Sequence, residues 1–238
     1  TSFKDLLIET TAFLKNEEKR GSILFSSNTI EYNKLILEKV DLFTSYDEKN
    51  LIQPFHFSII NNQKPSFSLQ GEGNYSLNSV TKKITLNRLI NSSFENDSLE
   101  LTMPLELVIE KEDILGALGL KIGSGLWQMN FNSHLNDVNT SIKLDKVPAS
   151  LLNLFTPSLI TKGFIDGNLI GKKNIDQISG EASFRFSDVI LNETVAGKVP
   201  ALNAFIDSQI NSSFVKVKSK IEGFAENPIS MELQLPLA

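Results

Sequence analysis

The chain has 238 residues, with 23 Lys+Arg against 28 Asp+Glu and a formal net charge of −5. An acidic balance without a basic run excludes nucleic acid, which is bound by clustered cations that displace counterions. There is no cysteine, and His56 and His134 are the only histidines, so disulfides, thiolate nucleophiles and zinc centres drop out, and neither metal nor cofactor is expected.

A hydrophobic share of 41% is too high for a disordered chain. No apolar run approaches the roughly 18–20 residues that cross a bilayer as a helix, and the N-terminus lacks a signal-peptide pattern. The aromatic inventory is lopsided, with 16 Phe against 3 Tyr and 1 Trp. Phe adds bulk without a polar handle, so the excess reflects either a coding bias toward Asn, Ile, Lys and Phe or a surface whose partner is wholly apolar.

In chain order, residues 3–16 predict an amphipathic helix. Phe3, Leu6, Leu7, Phe13 and Leu14 share a helical face, Ser2 caps its start and Lys19–Arg20–Gly21 reads as its stop, giving an N-terminal segment 1–20. From Gly21 the hydrophobic period falls from about 3.6 to 2. Phe55, Phe57 and Ile59 alternate with polar residues. Phe67, Leu69, Gly71, Gly73, Tyr75 and Leu77 follow, then Leu99 through Ile109, then Trp127, Met129 and Phe131. Val215, Val217, Ile221 and the run from Ile229 to Leu237 complete the series. Such alternation predicts strands with one dry and one wet face, joined as antiparallel neighbours by turns at Asn61–Asn62, Asn91–Ser93, Glu95–Asp97, Asn136–Asp137, Lys172–Asn174 and Glu226–Pro228. Pro148–Phe155 fits a two-turn helix, and Pro200–Ile210 fits helix and strand equally.

One pattern recurs. Apolar–x–apolar–x–x–apolar, its gap filled by polar residues, occurs at Leu35/Leu37/Val40, Ile84/Leu86/Leu89, Ile142/Leu144/Val147 and Phe184/Phe186/Val189. One extra residue in a period-2 pattern is what a bulge needs to keep both flanks on one face. Repetition at this scale predicts an elongated repeat architecture over 21–238. Glycines inside strand patterns, at Gly71, Gly73, Gly163, Gly167, Gly171 and Gly180, mark either curvature, close approach or ordinary turns.

No catalytic constellation emerges. Alternation turns His56 away from Phe55 and Phe57 toward the wet face, and neither histidine has a carboxylate at triad or metal spacing. Gly71-x-Gly73 lacks the following helix of a dinucleotide site, Gly123–Ser124–Gly125 lacks the nucleophile-elbow pattern, and Glu110/Glu112/Asp113 reads as a solvated strand end. An enzyme is not expected.

The candidate site is instead the dry lining. It comprises Leu35, Leu37, Phe67, Leu69, Leu99, Leu101, Leu105, Leu107, Ile109, Trp127, Met129, Phe131, Ile142, Leu144, Phe184, Phe186, Val217, Ile221, Met231, Leu233 and Leu235.

Several segments between 103 and 236 carry a resemblance. They are Met103–Pro104–Leu105, Gly125–Leu126–Trp127, Ile142–Pro148, Leu151–Pro157, Gly163–Gly171, Gly180–Phe184 and the closing Val215–Gly223 with Ile229–Pro236. Their order resembles the central repeats of the TamB family, within the AsmA-like superfamily of bacterial inter-membrane bridge proteins; the likeness covers roughly 60–238. It implies an all-β, curled antiparallel sheet forming a U-shaped apolar groove, and a fragment of a longer chain. It further implies a periplasmic location with an inner-membrane tether outside this fragment, phospholipid acyl chains as cargo, and an Omp85-class outer-membrane partner of the full-length protein.

The residues support a compatible chemistry. Burial of about 15 methylenes at about 0.8 kcal/mol each gives a gross 12 kcal/mol with no polar group required. Two further functions are compatible with the same pattern. One is a scaffold or chaperone that assists outer-membrane protein assembly by holding strands. The other is a compact β-sandwich binding module.

Overall fold

The computed structural model describes residues 2–15, 18–32, 35–78, 80–156 and 159–237. Strands prevail among the described residues, and 16 of them form one large antiparallel sheet. The chain divides into two units, residues 1–111 with 118–123 and residues 112–117 with 124–238.

The first unit contains β1 (Ser2–Lys4), β2 (Leu7–Lys15), β3 (Glu18–Ser27), β4 (Thr29–Tyr32), β5 (Leu35–Leu37) and β6 (Lys39–Asp47). It continues with β7 (Gln53–Asn61), β8 (Phe67–Leu77), β9 (Thr81–Leu89), β10 (Ser92–Phe94) and β11 (Asp97–Glu110). Its main sheet runs β2-β3-β6-β7-β8, with β9 and β10 each bridging β8 to β11, while β1, β4 and β5 form a small sheet of their own. β12 (Asp113–Ile122) divides between the units at Ala117. The second unit runs β13 (Gly125–His134), β14 (Asp137–Pro148), β15 (Ile160–Lys173), β16 (Ile178–Leu191), β17 (Leu202–Ile210), β18 (Phe214–Glu222) and β19 (Ile229–Pro236) in sequential order.

The helix expected over 3–16 is absent from its described residues, which are strands β1 and β2 joined through a bend at Asp5; Asn16 lies outside the described residues. The reason is visible in the periodicity. A helical face through Leu6, Leu7, Phe13 and Leu14 also takes in Thr10 and Thr11, β-branched residues that interrupt the apolar stripe and favour extended backbone. Pairing of Leu7–Lys15 with Glu18–Ser26 then satisfies the backbone between strands. Of the two ambiguous stretches, 202–210 is strand β17, with Leu202, Ala204 and Ile206 facing one way. Ala149–Leu154 is a 3-10 helix preceded by Pro148. Asn153 fastens it to the sheet, donating to Ile160 O at 2.6 Å and accepting from Ile160 N at 2.9 Å.

The repeated pattern marks real irregularities. In β14 the register passes from Leu144↔Gly167 to Val147↔Ile165, so Asp145 and Lys146 together oppose Asp166. In β16 it passes from Phe186↔Ala204 to Val189↔Leu202, so Ser187 and Asp188 oppose Asn203. Both bulges are built alike. Lys146 and Asp188 adopt φ of 48° and 52°. Their amides donate to the side chain opposite, Lys146 N to Asp166 Oδ1 at 2.9 Å and Asp188 N to Asn203 Oδ1 at 3.0 Å. A third bulge steps over Asn87 in β9, between Gly73↔Leu86 and Glu72↔Arg88. The Leu35/Leu37/Val40 copy is different: the chain breaks at Glu38 and passes from the small sheet into β6.

Gly71 and Gly73 admit close approach rather than a turn. A Cβ on Gly71 would lie 2.7 Å from the Phe57 ring, and one on Gly73 would lie 2.6 Å from the Phe55 ring and strike the carbonyl of Thr85. Each aromatic ring thus lies over its cross-strand glycine, an arrangement known to stabilise sheets. Gly73→Ala is expected to lower stability by about 2 kcal/mol through overpacking against immobile backbone. Gly171→Ala should be close to neutral, since its Cβ would meet only Thr140 Cγ2 at 3.1 Å. Urea unfolding of the two variants checks the contrast.

Candidate functional site

Directly opposed residues of an antiparallel pair share a face, so the register assigns every side chain. In the second unit one row runs Trp127, Leu144, Gly167, Phe184, Ile206, Ser219, Met231, and the next runs Met129, Ile142, Leu169, Ala182, Ser208, Val217, Leu233. Phe131, Thr140, Gly171, Gly180, Ile210, Val215 and Leu235 make a third. Beyond the bulges, Phe186 opposes Ile165 and Ala204, which continues to Ile221. This face holds no charged residue in these rows. The opposite face carries Gln128, Lys143, Asn168, Ser183, Asp207, Lys218 and Glu232 in a single row.

Burial along this face is graded. At one end Val147, Ala149, Ile160, Ile165 and Val189 are buried, and Leu144, Phe184, Phe186 and Leu202 pack against the same cluster beneath the 3-10 helix. The middle strands are half-buried. On β19, Met231 is 58% and Leu235 51% exposed, with Leu233 and Ile229 also open. The 3-10 helix packs against β15 on the apolar side, together with Leu159. Trp127 places its indole in this face, and its Nε1 is buried without a hydrogen-bond partner.

The first unit repeats the apolar face, while its opposite face is mixed, with Leu24 and Phe43 in one row with Glu9 and His56. Thr10, Ile23, Thr44, Phe55, Gly73, Leu86 and Leu105 form one row. Ile8, Phe25, Leu42, Phe57, Gly71 and Leu89 form another, and Tyr75, Ile84 and Leu107 lie beside them. Phe67, Leu69, Leu99, Leu101 and Ile109 share the face by alternation, with Phe67 and Leu99 buried. At one end of the strands the face opens into a hollow of about 490 Å³, lined by residues that include Ala12, Gly21, Ile23, Thr44, Tyr46 and Tyr75. That volume falls in the range of small-ligand sites.

The expected lining residues therefore collect on one face within each unit, with two exceptions. Leu37 pairs with Ile30 in the small sheet, and Leu35 pairs there with Tyr32, its side chain outside the described residues. The reading by alternation also missed β2, β3 and β6. Their dry-face residues, such as Ile23, Phe25 and Leu42, stand beside Leu24 and Phe43 of the opposite face, so the period-2 signal is lost.

The polar side holds the histidines. His56 lies in a row with Glu72 and Arg88, its Nδ1 3.7 Å from Glu72 Oε2. His134 Nδ1 is hydrogen-bonded to Asp113 Oδ1. That hydrogen bond, followed by the charge of the same carboxylate, raises the His134 pKa above 6.5, and Asp137 and Glu112 add to it. A folded pKa above the unfolded one means that His134 stabilises the fold fully below about pH 6.5 and loses that contribution as pH rises through the folded value. An NMR titration of His134 is expected to give a midpoint above 6.5, falling in Asp113→Asn. An unchanged midpoint in that variant overturns the pairing. No cluster of metal-ligating side chains occurs among the described residues, and no helix is long and apolar enough to cross a membrane.

No family model, no curated protein and no solved structure matches this chain.

Proposed function

We propose that this chain is a periplasmic segment of a TamB- or AsmA-like bridge, in which a curled sheet carries phospholipids with their acyl chains along its apolar face toward the outer membrane. The observation that supports the reading is the register, which makes the apolar side chains contiguous within each unit, with those of β19 standing exposed. A contiguous hydrocarbon surface binds acyl chains by burial alone and supplies many similar sites in a row, which suits sliding more than a single tight pocket does. The order of motifs from Met103 to Pro236 supports the same family, and with it an inner-membrane tether and an Omp85-class partner belonging to other parts of the full-length protein. The chemistry is physical transfer and calls on no catalytic residue.

Lipid extracted from the purified chain and identified by mass spectrometry tests this reading, together with photo-crosslinking side chains at Leu105 and Phe184. Phospholipid in the extract and acyl adducts at both positions are expected. Lipid-free protein with no adduct at either position overturns it.

One observation favours a second reading, a scaffold for outer-membrane protein strands. β19 is an edge strand whose Ile229, Met231, Leu233 and Leu235 stand exposed in line with the apolar face. A β-strand peptide that binds while lipid stays in place supports this reading.

A further inference from the structure

Three glycines on the apolar face of the first unit stand opposite an aromatic residue, and two of them are covered by it. The rings of Phe57 and Phe55 lie over Gly71 and Gly73. Gly21 opposes Ala12 on β2 and Tyr46 on β6, yet the atoms nearest its Cβ position are backbone atoms of Thr11 and Ala12, with no ring among them. The hollow of about 490 Å³ lies there, with Gly21, Ala12 and Tyr46 in its lining. Tyr75 closes a second side, since its hydroxyl donates to Ser45 O at 3.4 Å and so carries the ring across β7.

The lining is apolar over Ala12, Ile23 and the two tyrosine rings, and the Thr44 hydroxyl in it donates to Pro54 O at 3.0 Å. Its charged members among the described residues are Lys19 and Arg20, both cations in a chain of net charge −5. Arg20 is paired with Asp47 at 3.3 Å. Lys19 precedes Gly21 by two residues and so shares its face. The Lys19 Nζ stands 4.0 Å from Glu48 Oε1, the outer limit of an ion pair, with both side chains well exposed, while the Lys19 amide donates to Glu48 Oε2 at 3.2 Å. An exposed pair of that length contributes little and yields to a better-placed anion. A hollow of this volume takes a ligand of drug size. One alkyl chain with its head meets that limit, and a diacyl phospholipid exceeds it.

We propose that this hollow binds a long-chain carboxylate, a free fatty acid, whose alkyl chain covers Gly21 and Ala12 between the two tyrosines and whose carboxylate meets the Lys19 ammonium. The alkyl chain does at Gly21 what the phenylalanine rings do at Gly71 and Gly73, removing backbone and apolar wall from water. The site is built from the strands of the first unit and does not depend on carriage of phospholipid along the sheet.

Titration calorimetry of the whole chain with decanoate and dodecanoate tests it. Saturable binding of one equivalent is expected, with the two added methylenes tightening Kd about tenfold. Ala12→Phe sets a ring opposite Gly21 and fills the hollow, so it should weaken binding at least about tenfold. Ala12 is exposed, so circular dichroism melts of that variant should match the unmodified chain. The unmodified chain should prefer decanoate to decan-1-ol about threefold, on the scale of an exposed ion pair. Lys19→Gln should lose that preference and Lys19→Arg keep it. Dodecanoate with a terminal diazirine, irradiated with the unmodified chain, should label Ile23 or Tyr46, which locates the site even if Ala12→Phe does not fold.

No saturable binding, equal binding by a folded Ala12→Phe variant, a preference for the carboxylate that survives Lys19→Gln, or label confined to other residues overturns the proposal. So does displacement of dodecanoate by a monomeric short-chain phosphatidylglycerol at equal concentration, since that assigns the hollow to phospholipid. Fatty-acid binding that persists while Leu105 and Phe184 never capture an acyl chain leaves the hollow's role intact and removes carriage alone. Capture at both positions with no fatty acid bound removes the hollow's role alone.

Discussion

Aspartate at Phe186 is expected to abolish photo-capture of an acyl chain at Phe184, whereas aspartate at the adjacent Arg185 should leave capture within about twofold, because only the first places a charge on the dry face. Phe186 opposes Ile165 and Ala204 and packs on the buried cluster under the 3-10 helix, while Arg185 opposes Asp166 and Phe205 on the polar side. A carboxylate held at Phe186 has no cation in its row. Desolvating it beside an acyl chain costs several kcal/mol, more than the few methylenes at that position contribute. The Phe186 variant also loses packing, by about 3 kcal/mol on the scale of buried aromatic truncations. The comparison is therefore repeated in the first unit, with Leu107→Asp against Glu106→Asp and the crosslinker at Leu105. Leu107 opposes Ile84, and Glu106 pairs with Lys83 at 3.0 Å on the other face. Equal effects at both kinds of position, in variants that melt like folded protein, would refute the facing.

That facing was legible in the sequence wherever the period-2 signal was clean. β11, β13 and β19 read directly as alternating apolar and polar residues, and the register places those residues as the alternation predicts. The two-residue polar gaps were also legible. Inside a strand, a spacing of three between apolar residues keeps both on one face only if one residue is looped out, and three of the four copies are bulges.

What escaped was decided by contacts distant in sequence. Residues 7–15 carry enough apolar residues at helical spacing to imitate a helix, and pairing with β3 overrides that local preference. Leu35 and Leu37 share the repeated pattern but lie in the small sheet, because register within a motif says nothing about which sheet receives it. The side-chain caps of the bulges also lay beyond local reading, since Asp166 and Asn203 sit 20 and 15 residues along the chain from the amides they accept.

Deleting Asp188 is expected to be nearly neutral, while deleting Arg185, three residues earlier in the same strand, should cost about 3 kcal/mol or more. Each deletion shortens β16 by one residue, so chain length cannot account for a difference. With Asp188 gone, Phe186, Ser187 and Val189 follow in strict alternation, and Val189 stays on the apolar side where it is 7% exposed. The loss is the hydrogen bond to Asn203, worth about 1 kcal/mol. Relief of a non-glycine residue from φ of 52° recovers a similar amount. With Arg185 gone, the strand keeps Val189 facing inward only by giving up the bulge. Phe186 then turns to the polar face and Ser187 enters beside Ile165 and Ala204, so an aromatic is exposed and a hydroxyl desolvated at once. Denaturant midpoints of the two deletion variants measure the gap. Equal losses would mean that residues 187–188 do not act as the spacer keeping Phe184, Phe186 and Val189 on one surface.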